Sequence, residues 1–225
     1  MAAVNPFLVR NALVLLGLSL LAVVLIAGRG RLARRRVRPM LWNLLLAWSP
    51  MLLVIGLDLF VVDAADRVDD RVAVAGFVVV LALFVLFLPN SSYLITELGH
   101  LREASEDVPT WYDVIAVLSL TMCGILLCCV SLAYLQLILD RSVVGTTWSW
   151  VLVTGCLGLA NFGTYLGREL RFNSWDAITR PGRVLADTAR HVVGGRRLTE
   201  ALAYTLAFGS FTLCVYLVVA LPVLP

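Results

Sequence analysis

The sequence predicts an all-α, polytopic membrane bundle of about six transmembrane helices with short cytoplasmic interfacial helices, in a single integral membrane domain over 1–225. Three observations predict it. Of the 225 residues, 60% are hydrophobic and only 15% charged, whereas soluble globular chains run at roughly 45–50% and about 25%. Six apolar stretches approach the length, about 20 residues, at which a helix crosses a bilayer with its backbone hydrogen bonds satisfied internally. All 18 cations are arginine, and they are sorted unevenly between the loops. A water-soluble fold of this size could not bury so much apolar surface. A soluble enzyme, a disordered tail and a nucleic-acid-binding domain are therefore excluded.

The spans run over 8–27, 41–62, 72–88, 111–139, 148–166 and 202–221. The first is read as a retained anchor rather than a secretory signal: only Arg10 precedes the apolar run, while Arg29, Arg31, Arg34, Arg35, Arg36 and Arg38 follow it, the reverse of a signal peptide. Short cytoplasmic loops collect arginine and lysine. The segments around 29–38, 89–110 and 167–201 hold 14 arginines and lie on one side, against four (Arg10, Arg67, Arg71, Arg141) on the other. The count places both termini outside and the three arginine-bearing segments in the cytoplasm. Asp63, Asp66, Asp69 and Asp70 crowd one outer loop and are read as a solvated turn. Trp42, Trp48, Trp111, Tyr112, Trp148 and Trp150 fall near span ends, where interface anchors belong. Cys123, Cys128, Cys129, Cys156 and Cys214 fall within spans, without C-x-x-C spacing, and read as small hydrophobes.

Polar residues at or near the hydrocarbon are costly and default to functional candidates. Three clusters stand out, all on the arginine-rich side. In the first, Pro89 ends or kinks the third span, and Asn90 to Ser92 cap a following short helix. On that helix Tyr93, Glu97 and His100 share a face at i, i+4, i+7. Glu97 and His100 at i, i+3 match the pattern with which bundles hold metals, but a dimetal centre needs a second such pair and the only other histidine is His191. A single metal, a structural hydrogen-bonded pair and an acid–base pair all stay open, and no cofactor is assigned. In the second cluster, Thr110 and Asp113 form a capping box opening the fourth span. In the third, Gly163 and Gly167 form a G-x-x-x-G that lets a neighbouring helix approach. Asn161, Tyr165 and Arg168 form a polar stripe, and Arg168 with Arg171, one turn apart, suits a phosphate or carboxylate. Asn173 and Asp176 cap the next helix or serve the site beside Trp175. Beyond Pro181, Arg183, Asp187 and Arg190 oppose Leu185, Ala189 and Val192 on an interfacial helix closed by Gly194 and Gly195, with His191 at its surface.

These clusters carry a resemblance to a bacterial integral-membrane family known as domain of unknown function 1361. The matching blocks are Trp42 and Asn43; Ala47, Trp48, Ser49 and Pro50; Pro89, Asn90, Tyr93, Thr96 and His100; Trp111, Tyr112 and Asp113; Tyr165, Leu166, Gly167 and Arg168; and Asn173, Ser174, Trp175 and Asp176. They cover about 40–180. Glu97 departs from the family, which often carries Asp there. The resemblance implies a multi-pass protein of a bacterial plasma membrane and brings no established activity.

The convergence of polar blocks on one leaflet suggests a cytoplasm-facing site. In that reading Arg168 and Arg171 hold an anionic or lipid-linked substrate, positioned by Asn90, Tyr93, Tyr165, Asn173 and Trp175. Glu97, His100, Asp113 and Asp176 supply acid–base or metal-ligating chemistry for hydrolysis or group transfer. A non-catalytic transporter and a membrane-protein assembly partner are the alternatives. Sequence alone does not decide between enzyme and non-enzyme.

Overall fold

A computed structural model describes residues 6–32, 37–63, 69–103, 108–141, 145–172, 174–192 and 196–222. The chain forms α1 (Pro6–Leu32), α2 (Arg38–Ala47), α3 (Ser49–Asp63), α4 (Asp70–Tyr93), a 3-10 segment (Leu94–Glu103), α5 (Thr110–Arg141), α6 (Thr146–Leu170), α7 (Ser174–Thr179), α8 (Pro181–Val192) and α9 (Arg196–Ala220). No strand occurs among the described residues. Six stretches are long and apolar enough to cross a membrane: α1, α2 with α3, α4 with the start of the 3-10 segment, α5, α6 and α9. The protein is a multi-pass membrane helical bundle.

The bundle is built around α5, which packs against every other spanning helix. In its most apolar stretch 67% of residues are buried, against 11% for α4 and for α9. Its buried positions run from Ala116 through Leu127 to Leu139, with Cys123, Cys128 and Cys129 among them as free, small apolar side chains. Peripheral helices expose apolar residues such as Leu13, Leu20 and Val24 on α1 and Leu206 and Val218 on α9. A face of that kind suits hydrocarbon.

Two prolines reshape the spans. The second span is divided at Trp48, because Pro50 has no N–H to give the Leu46 carbonyl. The Ser49 hydroxyl donates to that carbonyl instead, at 2.6 Å. One residue on, the Ala47 carbonyl accepts from the Ser91 hydroxyl at 2.6 Å, which ties the break to α4. Of the two outcomes expected of Pro89, an end or a kink, the helix end does not occur: α4 runs through it to Tyr93. The Ser174 hydroxyl on α7 lies 3.0 Å from the Leu86 carbonyl, one turn before the proline. Asn90 to Ser92 therefore lie inside α4 rather than capping a new helix.

Glycines set the closest approaches. A Cβ on Gly163 would come within 2.6 Å of Pro89 Cγ, so α4 and α6 meet there as the G-x-x-x-G suggested. A Cβ on Gly124 would come within 2.5 Å of both Leu94 Cβ and the Ser91 carbonyl, which seats α5 against the 3-10 segment.

Trp42, Trp111 and Trp148 are exposed near helix ends, as interface anchors are. Trp48, Tyr112 and Trp150 are packed inward instead. Trp48 Nε1 donates to Ser19 Oγ at 3.1 Å, Tyr112 donates to the Leu25 carbonyl at 3.0 Å, and Trp150 meets Tyr216 edge-on. Asp69 caps α4 by accepting from the Arg71 N–H at 2.9 Å. Asp66, the side chains of Asp63 and Asp70, and Gly194 and Gly195 lie outside the described residues.

Candidate functional site

At the arginine-rich end, a cleft of about 510 Å³ lies between α2, α4, α6, α7 and α8. Its polar lining is Asn43 from α2, Asn90 and Tyr93 from α4, Arg168 from α6, and Arg171 and Ser174 from the turn into α7. The apolar lining comes from the same elements: Leu46, Leu86, Leu166, Phe172, Ala177 and Val184. Pro89, Gly163 and Gly167 complete the wall. A Cβ at Gly167 would meet the Tyr93 ring and the Phe172 carbonyl, each at 3.4 Å, so α6 passes within contact distance of Tyr93 there.

The two arginines reach the cleft by different routes. Arg168 sits in the last turn of α6, where a cation complements the helix dipole. It pairs with Glu169 at 3.6 Å between exposed groups, a contact that contributes little. Arg171 terminates α6 in the left-handed region at φ 55°, ψ 33°. That conformation usually falls to glycine, and here it turns an arginine toward the cleft.

Asn90 accepts from the Ser174 hydroxyl at 3.1 Å, which joins α4 to the start of α7. Asn43 donates to Glu97 Oε1 at 2.8 Å. Glu97 is 4% exposed and stands behind Asn43 without lining the cleft. Tyr93 and Glu97 do not share a face. The expectation assumed α-helical spacing, whereas Leu94–Glu103 is 3-10 helix with three residues per turn, so residues four apart diverge. The His100 side chain and Asn173 lie outside the described residues. Among the described residues no group of three His, Cys, Asp or Glu converges as metal ligands.

Asp113 is buried away from the cleft in an ion pair with Arg29, whose Nε and Nη2 both donate to it, the latter at 3.2 Å. No capping box with Thr110 is seen: the Pro109 carbonyl accepts from the Tyr112 and Asp113 N–H groups, starting the helix one residue earlier than expected. Asp176 lies in the first turn of α7 and does not line the cleft. Trp175 is 56% exposed and stands edge-on to Phe87, outside the cleft. Tyr165 does not line the cleft: its hydroxyl meets His191 Nε2 at 3.2 Å and its ring contacts Tyr204. Asn161 faces α9, donating to Thr212 Oγ1 at 3.0 Å. Because α8 folds back onto α6 and α9, His191 is half-buried rather than a surface group, and Arg197 contacts its Nδ1 at 3.0 Å. Of the expected site residues, the cleft gathers Asn90, Tyr93, Arg168 and Arg171.

Sequence reasoning left several polar side chains without a partner or a place in the site. Asn43 stands out as an amide within an apolar run. Asp58, a lone acid among apolar residues of α3, accepts from Tyr134 at 2.5 Å. At the same far end of α5, Gln136 accepts from Tyr216 and donates to Ser149 at 3.4 Å, and Ser149 donates to Asp140 at 2.5 Å. These bonds fasten α3, α6 and α9 to α5. Arg29 had no local signal, since it reads as one more loop arginine.

No curated protein and no solved structure matches the chain. A family model described as protein of unknown function (DUF1361) matches residues 42–215, a stretch that holds every lining residue of the cleft, and the chain belongs to that family.

Proposed function

We propose that this protein binds a phosphate- or carboxylate-bearing ligand in the cleft at the cytoplasmic end of the bundle, and that recognition rather than acid–base catalysis is what the cleft provides. One observation carries the reading: Arg168 and Arg171 both line a cleft bordered by no acidic side chain among the described residues. Guanidinium groups match the oxygens of phosphate and carboxylate through paired N–H donors. Asn43, Asn90 and Tyr93 add neutral groups that orient a polar ligand. The carboxylates needed for hydrolysis are engaged elsewhere, with Asp113 on Arg29 and Glu97 behind Asn43. The cytoplasmic assignment rests on the split of 14 arginines against four.

The test is thermal unfolding of the purified full chain in neutral detergent, with and without inorganic pyrophosphate. Pyrophosphate raises the unfolding temperature of the wild type and not of Arg168→Gln. An equal rise in both overturns the reading. Reporter fusions at residues 105 and 190 check the orientation, and an exported reporter active at either position reverses it.

A further inference from the structure

The cleft is larger and more apolar than a small anion requires. Pockets of roughly 300–1,000 Å³ with mostly apolar walls and a few placed polar groups hold ligands of organic size. At about 510 Å³, this one surrounds its two arginines with Leu46, Leu86, Leu166, Phe172, Ala177 and Val184. A bare phosphate would contact the arginines and leave that apolar wall facing water.

A second observation concerns depth. Helices α7 and α8 form one side of the cleft through Ala177 and Val184. Neither is among the six stretches suited to crossing a membrane, yet both expose large apolar side chains on their outer surface: Trp175 at 56%, Ile178 at 44% and Leu185 at 71%. On α8 the charged residues keep to themselves, with Asp187 between Arg183 at 3.5 Å and Arg190 at 3.3 Å. A short amphipathic helix beside spanning helices, with a tryptophan on the preceding turn, belongs in the headgroup layer with its apolar face toward the acyl chains. The cleft behind these helices then opens at the depth where lipid phosphates lie.

We infer that the ligand is an amphiphile, a phosphate headgroup carrying a hydrocarbon chain, which reaches the cleft sideways from the leaflet. The inference rests on the anion-binding reading above and specifies its ligand. The headgroup phosphate lies between Arg168 and Arg171, Asn90 and Asn43 meet its polar substituents, and the start of the chain lies on the apolar wall.

The experiment compares three probes on the full chain in neutral detergent by native mass spectrometry with competition: phosphatidic acid, glycerol 3-phosphate and phosphatidylcholine. Phosphatidic acid binds at least about tenfold tighter than glycerol 3-phosphate, because only the lipid covers the wall. It also outcompetes phosphatidylcholine, which has the same chains and no net charge. Ala177→Trp, which fills the wall, weakens phosphatidic acid toward the level of glycerol 3-phosphate. The wild-type comparison decides the question even if that variant fails to fold. Glycerol 3-phosphate binding as tightly as the lipid overturns the amphiphile inference and leaves the anion reading standing. Phosphatidic acid binding equally to the wild type and to Arg168→Gln with Arg171→Gly, or no better than phosphatidylcholine, overturns both.

Discussion

Arg29, in the last turn of α1, holds both carboxylate oxygens of Asp113, in the first turn of α5, and the two side chains are 7% and 6% exposed. The pair locks the first span to the central helix at the end of the bundle that carries the cleft. Removing Arg29 strands the Asp113 carboxylate away from water, at a cost of about 3–5 kcal/mol. Arg29→Met and Asp113→Leu singly are each expected to lower the unfolding midpoint in detergent markedly. The double variant, which removes both charges of the pair, is expected to recover part of the loss. Single variants as stable as wild type would show the pair to be solvated.

The contact of Gly124 with Leu94 and Ser91 makes a sharper packing prediction. The carbonyl at 2.5 Å is backbone and cannot rotate away, so Gly124→Ala forces α5 off the 3-10 segment. Overpacking of this kind costs roughly 1–3 kcal/mol. Gly155 and Gly158 on α6 meet nothing within 4 Å. Alanine there is expected to be neutral or slightly stabilising in the same unfolding measurement, which separates packing from helix propensity.

The division of the second span predicts a coupled pair. Ser49 supplies the Leu46 carbonyl with the hydrogen bond that Pro50 withholds. Ser49→Ala removes the stronger of two donors to that carbonyl, which keeps a backbone N–H from the end of α2, a loss of about 0.5–1.5 kcal/mol. In the background of Pro50→Ala, the new N–H takes the carbonyl and Ser49→Ala should cost little. A double-mutant cycle on unfolding free energy reads the coupling directly. Equal costs of Ser49→Ala in both backgrounds would rule out the compensation.

The six spans and the arginine-rich end were legible because hydrophobic length and charge sorting are local properties of the chain. The resemblance blocks also include Asn43, Asn90, Tyr93, Gly167, Arg168 and Ser174 of the cleft lining. Partners were not legible, because they depend on which face of a helix turns inward. Tyr165 and Arg168 are three residues apart and read as one stripe, yet Tyr165 meets His191 and does not line the cleft, whereas Arg168 does. Asp113 looked like a cap because Arg29 is 84 residues away. Glu97 left the face of Tyr93 because the backbone changed from α to 3-10 between them. Asn43 was visible as an amide in an apolar run, but nothing local tied it to Glu97.

The left-handed backbone at Arg171 allows its charge to be tested apart from its structural position. Glycine adopts φ 55° without the Cβ conflict that other residues carry there, so Arg171→Gly keeps the end of α6 and removes only the guanidinium. A β-branched residue is the opposite case, tolerating the left-handed region poorly and costing about 1–3 kcal/mol. Arg171→Gly is therefore expected to unfold at or above the wild-type temperature while losing most of its stabilisation by pyrophosphate. Arg171→Val is expected to lose both. If Arg171→Gly kept the full pyrophosphate response, Arg171 would be only a helix terminator, and Arg168 alone would have to hold the anion. If Arg171→Gly instead unfolded early, the guanidinium would be a structural support of the α6–α7 turn, and its place in the cleft lining would no longer count as support for binding.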